Sequence, residues 1–215
     1  GLYGKTLGLI GLGGIGEATF RAEDDIRLLT PSSYGYLASG DNLTEAVAVP
    51  GVLLSGGNLH FSATRIYPAT GNRFVISAVA PDALVRFSGG TADDPRAPIS
   101  AGGSLLVSAA RIEQGGNLFA PAGQIVLGVS DPADPDTRAL FSYSGVNRFG
   151  EPATLFVPVV ATASVRLLPG SLTSVSLAGQ VVPFGQTVDG QNWRYDGSAT
   201  SASGAATSVP DLTTP

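Results

Sequence analysis

Two stretches of the chain are nearly copies of one another. GGNLHFSATRI occupies residues 56–66 and GGSLLVSAARI occupies residues 102–112, with Gly-Gly, Leu, Ser-Ala and Arg-Ile at the same spacing in both. A looser copy, GEATFRAEDDI, stands at residues 16–26. The two close copies are offset by 46 residues, which corresponds to two turns of about 23, and repetition at a fixed period is typical of solenoids and other repeat folds.

Short apolar runs with period two lie within and between the copies. No window of ten or more residues carries an apolar stripe of helical period, and capping boxes are absent. Outside the two close copies we predict strands at residues 17–22, 26–29, 74–78, 84–87, 118–119, 124–127, 163–168 and 175–177, with Gly, Asn, Asp or Pro at their ends. An all-β chain of this kind folds as a sandwich, a barrel or a parallel β-solenoid. The paired copies favour the solenoid, because each of its coils needs the same inward set of side chains.

The repeat length sets the expected size and organisation. With roughly 22 residues per coil, residues 1–195 would build about nine coils and a rod on the order of 40 Å long. The Gly-Gly pairs predict corners with positive φ before each strand. The segments TADDPRAP (91–98) and SDPADPDTRA (130–139) are expected to loop off the side of the rod, and residues 196–215 to form a flexible, low-complexity tail.

The start of the chain raises a competing hypothesis. Gly11, Gly13 and Gly16 form a G-x-G-x-x-G after an apolar run, which is the fingerprint of a dinucleotide-binding domain. That fingerprint requires a helix after the last glycine, whereas residues 17–22 alternate with the period of a strand. It also requires an acid about 20 residues further on, and residues 30–40 contain none. We therefore interpret the glycines as a corner between two strands and expect no cofactor.

Composition excludes several classes of protein. Only 13% of the residues are charged, the net charge is −5, and Lys5 is the only lysine, whereas a nucleic-acid-binding protein would carry a basic face. The absence of cysteine excludes a disulfide framework and a thiolate metal site. No apolar run is long enough for a membrane-spanning helix. Because the chain begins at Gly1 without a signal peptide, we interpret it as a segment of a longer protein whose targeting signal lies elsewhere.

Few residues are candidates for a catalytic or metal-binding site. His60 is the only histidine and lies in an alternating strand, where we expect it to point outward. Asp131, Asp134 and Asp136 offer the hard oxygen ligands that Ca²⁺ prefers, but no glycine-containing twelve-residue loop with a closing glutamate follows. A solvated acidic loop is therefore favoured, we assign no metal site, and calcium binding by this loop stays open.

The positions of the arginines and carboxylates bear on whether the chain is a carbohydrate-active enzyme. Arg65 and Arg111 occupy the same slot of the two copies, two coils apart, with no acid recurring beside them, so we expect their stems to cover apolar surface. Asp24 and Asp25 are interpreted as turn acids. A carbohydrate-active lyase or hydrolase on a β-helix would need paired carboxylates, or an acid with Arg or Lys, on consecutive coils. We predict no catalytic residues, and keep this enzyme class as the alternative.

Trp193 and Tyr195 are the candidate ligand-contacting aromatic residues. Their rings could stack on a sugar, as in an adhesin, or cap the last coil of the solenoid against water, as terminal repeats must. We favour the capping role and keep the glycan contact as the second interpretation.

Two blocks carry a resemblance to a known family. SAGGSLLVSAARIEQGGNLFAPAGQIVLG (100–128) and LLPGSLTSVSLAGQVVPFGQTVDGQNWRY (167–195) resemble the large filamentous-haemagglutinin-like proteins of proteobacteria, in particular an uncharacterised domain toward their C-terminal part. GNLHFSATRIYPATGNRFVISA and the opening GLIGLGGIGEATFRAEDDIRLL fit the same pattern, so the resemblance covers the chain up to about residue 195.

The resemblance implies a secreted protein of a two-partner system. Such proteins cross the inner membrane by Sec, pass through a dedicated outer-membrane pore and fold outside the cell into a right-handed parallel β-helix. They serve as adhesins or carry a toxin at the tip. The expected location is therefore extracellular or on the bacterial outer surface, with the pore and a host receptor or glycan as partners. The resemblance carries over no catalytic residue.

Overall fold

The computed structural model describes residues 10–12, 17–29, 51–89, 96–146, 152–181, 187–188 and 191–192. These residues are mostly in strands, and one short helix is found among them. In chain order the elements are β1 (Ile10–Leu12), β2 (Glu17–Arg21), β3 (Asp25–Leu28), β4 (Gly51–Ser55), β5 (Asn58–Ser62), β6 (Arg65–Pro68), β7 (Arg73–Ala78), β8 (Leu84–Ser88), β9 (Ser104–Ser108), β10 (Arg111–Gln114), β11 (Asn117–Phe119), β12 (Gln124–Leu127), α1 (Pro135–Leu140), β13 (Ser142–Val146), β14 (Pro152–Phe156), β15 (Ser164–Leu167), β16 (Leu172–Ser174), β17 (Thr187–Val188) and β18 (Gln191–Asn192).

Three parallel sheets hold most of these strands. Sheet 1 has the order β1-β4-β7-β9-β12, sheet 2 the order β2-β5-β8-β10-β15, and sheet 3 the order β3-β6-β11-β16. The chain runs from sheet 1 to sheet 2 to sheet 3 and then returns to sheet 1 one position further along, except that after β8 it returns from sheet 2 to β9 of sheet 1 without a strand in sheet 3. Two small antiparallel pairs, β13-β14 and β17-β18, complete the described strands. The all-β prediction is confirmed.

Most of the predicted strands are present. The strands predicted at 17–22, 26–29, 74–78, 84–87, 118–119, 124–127 and 163–168 match β2, β3, β7, β8, β11, β12 and β15 within a residue at each end. Residues 17–21 form a strand where a dinucleotide-binding domain would have its helix, and residues 13–16 lie outside the described part of the chain. The prediction at 175–177 is wrong, because the strand there is Leu172–Ser174.

The prediction of about nine coils is wrong for the described chain. Sheets 1 and 2 contain five strands each, so the described stack is about 19 Å high at a strand spacing of about 4.8 Å. In sheet 2 Leu59 pairs with Val85, which pairs with Ile112, at offsets of 26 and 27 residues. Ile112 pairs with Val165, 53 residues further on, because residues 128–163 form an insert between β12 and β15.

The two sequence copies do not occupy equivalent positions. GGNLHFSATRI forms β5 and β6, in sheets 2 and 3, whereas GGSLLVSAARI forms β9 and β10, in sheets 1 and 2. The copies are therefore shifted by one sheet relative to one another. Arg65 lies in sheet 3 and Arg111 in sheet 2, so the prediction that they recur in one column is wrong.

The core between the sheets is built from columns of like side chains. In sheet 2 the inward column is Phe20, Phe61, Phe87, Gln114 and Leu167. The first three rings stack with centroids 5.1 and 5.3 Å apart, because in-register pairing places each ring over its neighbour. Stacked rings of this kind add about 0.5–1.5 kcal/mol per pair beyond their buried area.

Gln114 ends the aromatic column without leaving a polar group unpaired. Its side chain is fully buried, and Nε2 donates to the carbonyl oxygens of Gly116 and Leu172 at 2.9 and 3.0 Å. Its Oε1 accepts from the Gly116 amide at 3.2 Å. The amide therefore ties β10 to the corner that follows it and to β16.

Sheet 1 is buried on both faces. Its outward side chains Val52, Val75 and Leu106 pack against Phe141 and Val157 of the insert. Ser108 reaches the same cover, since its Oγ accepts from the Val160 amide at 3.0 Å. This double burial explains why β4, β7 and β9 read as nearly continuous apolar runs rather than alternating ones.

The insert contains the helix that the sequence patterns did not predict. Its residues Pro135–Leu140 are preceded by Asp134, whose side chain accepts from the Thr137 amide at 2.8 Å and caps the helix. With only six residues, the helix is too short to show an apolar period.

Glycines serve the stack in two ways. Gly102 has a φ of +71°, so the predicted corner with positive φ is confirmed there. Gly56 and Gly57 do not have positive φ, and the prediction is wrong for this pair. A Cβ on Gly123 would lie only 1.8 Å from the Gly103 carbonyl oxygen. At that corner glycine is therefore required by the close approach of two successive layers.

We expect Phe61→Ala to destabilise the chain strongly. The ring is 1% exposed and sits between Phe20 and Phe87, so its loss should lower the free energy of unfolding by about 3–5 kcal/mol. Urea denaturation followed by circular dichroism measures this change. Phe156→Ala is the matched control, because Phe156 is 49% exposed and should cost far less; equal losses for the two variants would contradict the stacked core.

Candidate functional site

The outward side chains of sheet 2 form the polar surface of the described stack. We call this surface the polar face. It consists of Glu17, Thr19, Arg21, Asn58, His60, Ser62, Leu84, Arg86, Ser88, Arg111, Glu113, Ser164 and Arg166, all exposed or half-buried. These side chains alternate with the buried column described above, because successive residues of a strand point to opposite faces. The polar face carries four arginines and two glutamates in a chain whose net charge is −5.

One column of the polar face is a charged ladder. In-register pairing aligns Thr19, His60, Arg86, Glu113 and Arg166 across five strands. Arg86 Nε donates to Glu113 Oε2 at 2.8 Å, and Arg166 Nη1 lies 3.7 Å from Glu113 Oε1. Exposed ion pairs of this kind contribute little to stability, typically about 0–1 kcal/mol. Their effect is to hold the Arg86 and Arg166 guanidinium groups on either side of the Glu113 carboxylate.

His60 points outward, as its alternation predicts. Its neighbours Leu59 and Phe61 are buried, and its Nε2 lies 3.0 Å from Ser88 Oγ in the adjacent strand. Ser88 in turn donates to the Phe61 carbonyl oxygen at 3.3 Å. The imidazole therefore belongs to a hydrogen-bonded strand surface, and no carboxylate is bonded to it in the described part of the chain.

A second charged cluster lies on sheet 3. Asp25 pairs in register with Arg65, and the guanidinium binds both carboxylate oxygens, with Nε–Oδ1 at 2.6 Å and Nη2–Oδ2 at 3.0 Å. Tyr67 Oη donates to the same Oδ2 at 3.1 Å. The expectation that no acid stands beside Arg65 is thus wrong. Asp25 is a strand residue with two partners rather than a turn acid.

Tyr67 is held in its neutral form. Burial is the largest cause that raises its pKa, and the charge of Asp25 and the hydrogen bond to it raise the pKa further. The phenol is therefore a hydrogen-bond donor to Asp25 and is not available as a base at neutral pH.

The aspartates of the insert have structural partners. Asp131 Oδ1 accepts from the Ala133 amide at 2.8 Å, and Asp134 caps α1. Asp136 lies in the first turn of that helix, where a negative charge is favourable. Among the described residues no group of three or more His, Cys, Asp or Glu side chains is arranged to hold a metal ion.

The other candidate residues fall outside the described chain. Trp193 and Tyr195 both lie beyond residue 192, the last one described, so their capping and glycan-binding roles stay predictions. The sequence patterns did not single out Arg86, Glu113 or Arg166. The match between LHFS (59–62) and VRFS (85–88) is a signal that could have placed Arg86 next to His60.

Comparisons with other proteins give no assignment. Neither protein-family models, nor curated proteins, nor solved structures give a significant match to this chain. Within the described residues no helix is both long and apolar enough to cross a membrane.

We expect Asp25→Asn to lower the pKa of Tyr67 and to lower the free energy of unfolding. The substitution removes the negative charge that raises the pKa of Tyr67 and leaves at most an uncharged acceptor, whereas burial still holds this pKa above the ordinary value of about 10. Because the folded-state pKa exceeds the unfolded one, the wild-type contribution to stability is present below about pH 10 and is lost as the pH rises further. Ultraviolet titration of tyrosinate, with Tyr67→Phe to identify the transition, measures the shift.

Asp24→Asn is the control for this prediction. It removes an adjacent, exposed carboxylate and should leave the Tyr67 titration unchanged. Loss of the charged hydrogen bonds in Asp25→Asn should cost about 1–3 kcal/mol in unfolding free energy. The same titration curve for wild type and both variants would show that Asp25 does not act on Tyr67.

Proposed function

We propose that this chain is a β-solenoid segment of a large secreted, filamentous-haemagglutinin-like surface protein. Its role is to extend a stalk and to present a contact surface to a host receptor or glycan. The supporting observation is the path of the chain, which in the first two layers enters sheets 1, 2 and 3 in turn and starts the next layer in register with the last. The layer of β7 and β8 keeps this register in sheets 1 and 2 and has no strand in sheet 3. A right-handed coil, as in the family that the sequence resembles, is part of this proposal.

The end of the described stack supports the stalk role. Val165 and Leu167 of β15 continue the inward columns that contain the fully buried Ile112 and Gln114, yet they are 43% and 64% exposed. Among the described strands β15 is the last of sheet 2, so a further layer stacked on it would bury both side chains and pair its outer backbone edge. Inward-facing apolar side chains at the edge of a sheet are typical of a solenoid with a further coil beyond that edge. At the true end of a solenoid they would favour aggregation.

The polar face supports the contact role. Sheet 1 is covered by the insert, and Tyr67 and Phe119 of sheet 3 pack against Ala97, whereas the outward side chains of sheet 2 are exposed or half-buried polar groups. Arg86, Arg111 and Arg166 outnumber Glu113 in three successive strands. A group of guanidinium groups on neighbouring strands suits a partner with carboxylate or sulfate groups.

The carbohydrate-active enzyme is the less favoured alternative. Hydrolysis of a glycosidic bond needs two carboxyl groups that face one another across the substrate. Asp25 and Glu113 lie on different sheets; Asp25 is bound by Arg65, and Glu113 by Arg86 and Arg166. These partners support a scaffold role for both acids.

Antibody labelling of cells that produce the protein tests the proposed location. An antibody raised against this chain should label intact cells or their extracellular filaments, and brief surface proteolysis should remove most of the signal. Labelling of a periplasmic protein after permeabilisation serves as the control for cell integrity. Signal that appears only in permeabilised cells would contradict a surface function.

Loss of charge on the polar face should weaken glycan binding. We expect Arg86→Ala with Arg166→Ala to reduce binding to acidic glycans on an array by about tenfold, equivalent to about 1.4 kcal/mol. Arg96→Ala with Arg138→Ala is the matched control, since it removes the same charge from exposed positions outside sheet 2. No binding by the wild type, or equal losses in the two double variants, would contradict a contact role for this face.

A further inference from the structure

Arg73 and Tyr143 contact each other across the joint between sheet 1 and the insert. Arg73, the first residue of β7, points outward from sheet 1, and its guanidinium carbon lies 4.8 Å from the centroid of the Tyr143 ring. Its Nη1 donates to the Ser142 carbonyl oxygen at 3.2 Å. Both Tyr143 and Ser142 belong to β13 of the insert, so Arg73 connects the sheet to its cover.

One further polar atom of each side chain has no hydrogen-bond partner among the described residues. Arg73 Nη2 and Tyr143 Oη are both buried, and neither forms a hydrogen bond within the described part of the chain. The ion pairs found there involve Arg65, Arg86 and Arg166 rather than Arg73. Arg73 as a whole is half-buried, but a buried N–H donor of a charged group and a buried phenol without an acceptor are both costly, and such a pair points to a missing ligand.

The two groups together define the chemistry of that ligand. Nη2 carries a positive charge with two N–H donors, and Tyr143 has an O–H to donate, so the ligand must accept hydrogen bonds and carry negative charge. Desolvation raises the pKa of Tyr143 to about 12, although the Arg73 charge lowers it. The phenol therefore keeps its proton at neutral pH.

We propose that Arg73 and Tyr143 bind a small inorganic anion of the halide class at the joint between sheet 1 and the insert. A monatomic anion needs only converging donors and a positive charge. One donor comes from the sheet and the other from the insert. The bound anion therefore stabilises the insert in the position where Phe141 and Val157 cover Val52, Val75 and Leu106.

Thermal unfolding at constant ionic strength tests this site. Replacing sodium gluconate by sodium bromide should raise the Tm of the wild type saturably, by about 3 °C at ten times the dissociation constant. Arg73→Gln should abolish this increase. Tyr143→Phe keeps the ring beside the guanidinium but removes the O–H, and should reduce the increase while the variant remains folded.

Arg138→Gln is the matched control. Arg138 lies over the Phe156 ring at 4.9 Å but is exposed, so its loss should leave the bromide effect unchanged. An equal bromide effect in wild type and Arg73→Gln, or none in the wild type, would overturn the proposal.

Bromide anomalous diffraction from crystals of the chain locates the ion directly. The expected peak lies within hydrogen-bond distance of Arg73 Nη2 and Tyr143 Oη. A water at that position, or a bromide peak without any effect on Tm (an adventitious ion only), would also overturn the proposal.

Discussion

The structure depends on in-register parallel stacking of short strands. Strands about 4.8 Å apart bring in-register side chains into direct contact, so the side chains of one column must pack well on one another. The rings of Phe20, Phe61 and Phe87 do so, with neighbouring centroids 5.1 and 5.3 Å apart. The same register places Gly123 against the Gly103 carbonyl oxygen, where no Cβ fits. A shift of one residue would turn the aromatic column toward solvent, so the register is strongly specified.

The same register organises the surface that we propose as functional. Because alternate residues of sheet 2 point outward, the pairing that buries the phenylalanines also aligns His60, Arg86, Glu113 and Arg166. Sheet 1 follows a different rule, since its outward valines and leucines are covered by the insert. The covered face holds the insert, and the polar face carries the contact role that we propose.

Sequence patterns predict the strands well because each strand is short, apolar and bounded by turn residues. They do not predict which sheet a strand joins. The copies at 56–66 and 102–112 look equivalent in sequence, yet coils of different length place them one sheet apart. Because of this shift Arg65 pairs with Asp25 in sheet 3, whereas Arg111 lies in sheet 2. The loop predicted at 130–139 lies in the insert, but the insert's hairpin and its capped helix at 135–140 were not predicted, because they are local structures outside the repeat that are held by packing on the outward face of sheet 1.

Cysteine cross-linking tests the stacking register most directly, because the chain contains no cysteine of its own. His60 and Arg86 are in-register neighbours, with Cα atoms about 4.8 Å apart, within the disulfide range of about 4.4–6.8 Å. The variant His60→Cys with Arg86→Cys should form a disulfide under mild oxidation, measured as loss of both free thiols. The variant His60→Cys with Leu106→Cys, whose positions are equivalent in the sequence copies but lie on different sheets, should keep both thiols free. The opposite pattern would contradict the three-sheet stack and the polar face built on it.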